Sequence, residues 1–157
     1  MRFTTTLSFL LASLVAGGVV ACSKKADVLP LPAATASYKL DGTLISCKVV
    51  VYPPTPVYNG EQLLIRLFTM PAPARGQEYL DLSYVKQPTA PDSTYKVNWV
   101  RYNSPDIPPG GMLLRDAVLT LKAANTGAFS GTATGTALYA NPTFSAITEA
   151  VFTNARL

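Results

Sequence analysis

SYKLDGTLISCKVVVY, residues 37–52, decides the fold. Asp41-Gly42 separates two runs of strand-forming residues, and an Asp-Gly pair is a strong two-residue hairpin signal because the turn requires positive φ. In the second run Ile45, Cys47, Val49 and Val51 share one face and Ser46 and Lys48 the other, with Val50 as the exception. That period of two is a strand buried on one side. The stretch therefore predicts two antiparallel strands joined by a tight turn.

The same texture continues toward the C-terminus. Prolines stand in groups, at 53, 54 and 56, at 71 and 73, at 88 and 91, at 105, 108 and 109, and at 142. Between the groups lie runs rich in β-branched and aromatic residues. Proline cannot donate to a sheet ladder, so the groups read as punctuation between strands. Leu63, Ile65 and Leu67 alternate with Leu64, Arg66 and Phe68, apolar on both faces in places, as in a central strand. Next, Leu80, Leu82 and Tyr84 face inward against Asp81 and Ser83, and Tyr95, Val97 and Trp99 face inward against Lys96 and Asn98. In MLLRDAVLTLK, Ala117, Leu119 and Leu121 oppose Asp116, Thr120 and Lys122. GAFSGTATGTALY sets threonines on one face against Gly131 and Gly135, suggesting a bend or close packing. In AITEAVFTNARL, Ile147, Val151 and Phe152 give two apolar phases, which predicts a bulge. The expected fold is all-β: an antiparallel β-sandwich or a partly closed barrel of about eight strands.

On the N-terminal side, Arg2 precedes an uncharged run, Leu7 to Ala21, that ends in small residues. This is an export-signal pattern, short for a spanning helix of about 20 apolar residues. Val19-Val20-Ala21-Cys22 resembles the lipobox of bacterial lipoproteins. The resemblance implies cleavage before Cys22, acyl chains on its sulfur and new amino group, and no other cofactor. Two or three chains hold durably where one is marginal. A Cys22–Cys47 disulfide after ordinary cleavage is the alternative; the place of Cys22 at the cleavage point, followed by Lys24-Lys25 and a Pro-spaced segment, favours lipidation. Cys47 is then a small buried hydrophobe. The expected organisation is a signal peptide over 1–21, a lipidated N-terminus and flexible tether over 22–36, and one domain over 37–157.

Composition excludes several function classes. Net charge is +4, charged residues are 14% of the chain, and the basic residues stand singly, which gives no row of cations to bind nucleic acid. There is no histidine, the commonest general base and metal ligand. Ser83-Tyr84-Val85-Lys86 and Ser93-Thr94-Tyr95-Lys96 match the Ser-x-x-Lys of penicillin-binding proteins, but in strands positions three apart point oppositely. Glu78 and Asp81, a carboxylate pair in sequence, face opposite ways by the same rule. The spacing of Gly127, Gly131 and Gly135 resembles a membrane-helix motif, set here in strand context.

What remains are loops. YPPTPVYNG carries Tyr52 and Tyr58, and YNSPDIPPGG carries Tyr102 and Ile107; aromatics in such loops can stack on a sugar or a peptide. The order of lipobox, YKLDG, GAFSGTATG and ITEAVFTNARL resembles a group of small lipoproteins of Bacteroidota type. That resemblance implies a β-sandwich at the cell envelope and brings no catalytic residues. With Ser23 after the cysteine rather than aspartate, it implies the outer membrane, with the facing leaflet open. The expected function is a non-enzymatic, lipid-anchored protein that binds a protein or glycan partner. A carrier or sensor of a small apolar ligand inside a barrel is the alternative, and a carboxylate-based glycosidase stands below it.

Overall fold

The computed structural model describes residues 31–58, 60–74, 76–89, 95–138 and 146–157. Val19, Val20, Ala21, Cys22 and Ser93 lie outside the described residues. Eight strands follow in order: β1 (Thr35–Leu40), β2 (Thr43–Val57), β3 (Gly60–Thr69), β4 (Tyr79–Lys86), β5 (Tyr95–Asn103), β6 (Met112–Ala123), β7 (Phe129–Ala137) and β8 (Ala146–Ala155). Each pairs antiparallel with the next, and β1 pairs with β8, which closes the sheet into a barrel. Closure separates this fold from a sandwich.

The closing seam has its own side-chain fastenings. Thr35 and Thr153 hydroxyls meet at 2.7 Å, and Lys39 Nζ donates to Glu149 at 2.8 Å. The Asp41-Gly42 turn, with φ of 48° and 84°, also reaches β8: Asp41 Oδ1 accepts the Ala146 amide at 2.7 Å. The hairpin signal thus supplies a turn and part of the closure.

Bulges set which residues point inward. In β8, Glu149 and Asn154 adopt φ of 49° and 53°, each beside an extra residue in the ladder. Ile147, Ala150, Phe152 and Ala155 all become buried despite their uneven spacing. One bulge was legible from the sequence; two are present, and Val151 faces out. In β6 the same device at Asp116, φ 51°, lets Leu114 before it and Leu119 after it both face in. Such bulges sharpen the twist that a closed sheet needs.

Two expectations need correcting. β2 runs through Pro53, Pro54 and Pro56 instead of ending at them. A register shift between Tyr52 and Thr55 takes Pro53 and Pro54 out of the ladder, so neither of them costs a hydrogen bond, whereas Pro56 stays in register opposite Glu61. In β5, Ser83 pairs with Trp99 but Tyr84 pairs with Val97, leaving Asn98 as an extra residue. The phase flips there: Val100 and Tyr102 face inward and Trp99 faces out.

Tyr38, Leu63, Ile65, Leu67, Leu80, Leu82, Tyr84, Val100, Tyr102, Ile147 and Phe152 fill the interior, none more than 1% exposed. An eight-stranded barrel is just wide enough for side chains to fill it. The weak seam is β5–β6, where only Arg101↔Leu113 and Tyr102↔Met112 pair before the strands diverge.

Candidate functional site

The interior is polar in places, and its polar groups are paired within a buried core. Tyr38 and Thr69 hydroxyls hydrogen-bond at 2.8 Å, Tyr102 meets the Tyr38 ring edge-on at 6.4 Å, and Tyr84 donates across the barrel to the Thr120 carbonyl at 3.3 Å. Burial raises the pKa of both Tyr38 and Tyr84, so these phenols stay neutral and serve as structural hydrogen-bonding groups.

Cys47 is free, half-buried, and pushed by desolvation from 9.0 up to about 12. Since the thiolate is the nucleophile, iodoacetamide at pH 8 is expected to alkylate the folded protein roughly 100-fold or more slowly than the urea-unfolded chain. Equal rates by mass spectrometry would contradict this burial. The sign for stability follows from the same values: the unfolded thiol ionises first, so raising the pH from 9.0 toward about 12 disfavours the fold.

The outer wall of β2–β5 is not the solvated polar face that alternation usually gives an exposed sheet surface. The ladder lines up Val50, Arg66, Asp81 and Arg101 in one row, and Tyr52, Leu64, Ser83 and Trp99 in the next. Arg66 holds Asp81 through two bonds of 2.6 and 2.9 Å. Its guanidinium lies 4.0 Å from the Tyr79 ring centroid, 5.4 Å from Tyr52 and 5.6 Å from Phe68. The hydrogen bonds to Asp81 first, with the charge of that carboxylate, hold the guanidinium protonated above its usual pKa against the opposing effect of burial. Asp81 and Ser83, which alternation places on the outward face, are nevertheless 5% and 0% exposed, Asp81 beneath Arg66. Ser83 accepts from Gln62 at 2.7 Å and Asn98 at 3.3 Å.

β5 carries the open part of the wall. Arg101 stands 4.7 Å from the Trp99 ring and opposite Asp81, whose two oxygens are taken by Arg66. Arg101 Nε and Asn103 Nδ2 are buried and donate to nothing among the described residues. Gly111, at φ 70°, lies so close to the Asn103 amide that a Cβ there would overlap it. A concavity of about 260 Å³ adjoins Asn103, bounded by Tyr79, Pro105 and Gly110. At the other end of β5 a second one, about 430 Å³, is lined by Tyr58, Val85, Lys96 and Asn98.

Only some of the expected residues meet here. Tyr58 is fully exposed in the β2–β3 turn, and Tyr52 is half-buried under Arg66. Tyr102 and Ile107 are 1% and 7% exposed; they point into the core and pin the β5–β6 loop, so neither ring nor side chain is presented to a partner. The loop does line the site, through its prolines and glycines. Ser83 faces out whereas Lys86 lies on the inward row with Tyr84, so no Ser–Lys pair forms. Glu78 and Asp81 are not brought together as a pair: Asp81 is bound to Arg66 on the wall, whereas Glu78 perturbs Tyr38 in the interior. Among the described residues no three carboxylates or thiols gather as a metal site. Trp99, Arg101 and Asn103 were missed; the signal was the alternation of Val100 and Tyr102, which conflicts with that of Tyr95 and Val97.

No protein-family model, curated protein or solved structure matches this chain.

Proposed function

We propose that this protein is a lipid-anchored, non-catalytic binding protein of the cell envelope, attached to the outer membrane through acylated Cys22. The tether leads into β1, and the barrel presents the β2–β5 wall to a partner. The observation that carries the reading is that wall: aromatic rings and guanidinium groups, the residue types that dominate binding surfaces, replace solvated polar residues on an outer face. The packed interior, with its inward tyrosines at 0–1% exposure, supports a binding role on the outside over carriage of a ligand within.

Metabolic labelling with an alkynyl palmitate analogue is expected to mark the wild type and not Cys22→Ala. Equal labelling would remove the anchor. Purified full-length protein in mild detergent is expected to bind saturably to envelope material from cells lacking it. Adsorption that never saturates would remove the binding role.

A further inference from the structure

The binding wall has a direction. β5 places Lys96, Trp99, Arg101 and Asn103 in a line of roughly 20 Å at the usual strand rise, with a concavity at each end. The line is cationic. Lys96 and Arg101 have no carboxylate partner among the described residues; of the described acids on β3–β5, Asp81 is spent on Arg66 and Glu61 accepts from the Tyr95 hydroxyl. Aromatic faces recur along it: Tyr58 at one end, Trp99 in the middle, Tyr79 at the other.

We propose that this track binds an extended acidic polysaccharide, its rings stacking on Trp99 and its carboxylates or sulfates meeting Arg101 and Lys96. The inference rests on the envelope-binding reading and names the ligand class for it. Arg101 Nε and Asn103 Nδ2 supply N–H donors on alternate residues of one strand face. Both residues are half-buried, so a small side-chain rotation can carry the unpartnered nitrogen to a ligand oxygen and remove its desolvation cost. The concavity beside Asn103, about 260 Å³, has room for roughly eight water-sized volumes, which suits a single sugar ring.

Other anionic polymers fit less well. An extended peptide gains its affinity from main-chain bonds at a sheet edge, and this wall is the side-chain face of strands paired β2 to β5. A nucleic acid is held by neutralising a row of phosphates, and two unpaired cations along the line are a sparse match. A sugar acid asks for the mixture present: an aromatic face, amide donors and widely spaced positive charge.

Trp99 is the only tryptophan in the chain, so its fluorescence reports the track directly. Full-length protein in mild detergent is titrated with polygalacturonate oligomers, with heparin oligomers, with neutral cello-oligosaccharides, with polyglutamate and with oligo(dT). The expected result is saturable quenching by at least one of the two acidic sugars, weakened by salt, with at least 10-fold weaker binding for Arg101→Leu. The exposed Arg115→Leu on β6 is expected to bind as the wild type does. Circular dichroism establishes that both variants are folded. Quenching that is as strong with cello-oligosaccharides overturns the role of charge. Equal binding of polyglutamate or oligo(dT) overturns the role of the sugar. No quenching by any probe, with saturable envelope binding intact, overturns the ligand class and leaves the binding protein standing; loss of envelope binding as well removes both.

Discussion

Phe152→Ala is expected to lower the unfolding free energy by about 3–5 kcal/mol, the usual cost of deleting a fully buried aromatic ring. The ring, 1% exposed, sits directly opposite Gly131 in the β7–β8 ladder. A Cβ at Gly131 would overlap both this ring and the Thr120 carbonyl, so β6, β7 and β8 approach one another closely around a residue without a side chain. Removing the ring opens a space that neighbouring backbone, fixed by ladders on both sides of β7, cannot fill by collapse. Phe152→Leu keeps most of the volume and is expected to lose under about 2 kcal/mol. Urea denaturation measures both. A midpoint for Phe152→Ala within error of the wild type would show that the glycine contact is not packed.

Asp81→Ala is expected to cost about 2–3 kcal/mol, below the 3–5 kcal/mol of a fully buried pair because Arg66 keeps some contact with water. Side-chain exposures are 23% for Arg66 and 7% for Asp81. Without the carboxylate, the guanidinium stays among Tyr52, Phe68 and Tyr79, held by ring faces but lacking a counter-charge. Replacing both partners, Arg66→Met with Asp81→Leu, is expected to recover most of the loss, since two apolar side chains suit an aromatic box without any desolvated charge. A double-mutant cycle reads the difference as coupling energy. Additive single and double losses would show that the two charges act independently.

How far the sequence carried the fold can be read strand by strand. Where alternation is uninterrupted, as in Leu63, Ile65 and Leu67 or Leu80, Leu82 and Tyr84, the inward residues are those that periodicity names. It falters where one residue is extra. The bulges at Asn98, Asp116, Glu149 and Asn154 shift the phase, and inside a run of strand-forming residues none of these side chains marks the extra residue as a glycine would. Trp99 was misplaced for that reason, and with it the site. Pro53 and Pro54 misled in β2 because a register shift takes them out of the ladder. The choice between barrel and sandwich turned on whether β1 meets β8, a contact between residues more than 100 positions apart that no local pattern encodes. The loop that borders the Asn103 concavity was found by its aromatics and prolines, although the aromatic itself turned out to be an anchor for the core.

That β1–β8 contact governs the order of folding. Seven of the eight pairings join neighbours in sequence and can zip as each hairpin emerges, with short loops to close. The eighth must wait for β8, more than 100 positions after β1. Until β8 arrives, β1 and β7 each hold a row of unmet amides and carbonyls, the template on which foreign strands add. A chain stopped before residue 146 would lose one strand and gain two adhesive edges. The arrival of β8 is therefore the step that turns a self-associating intermediate into a ring with its ends joined.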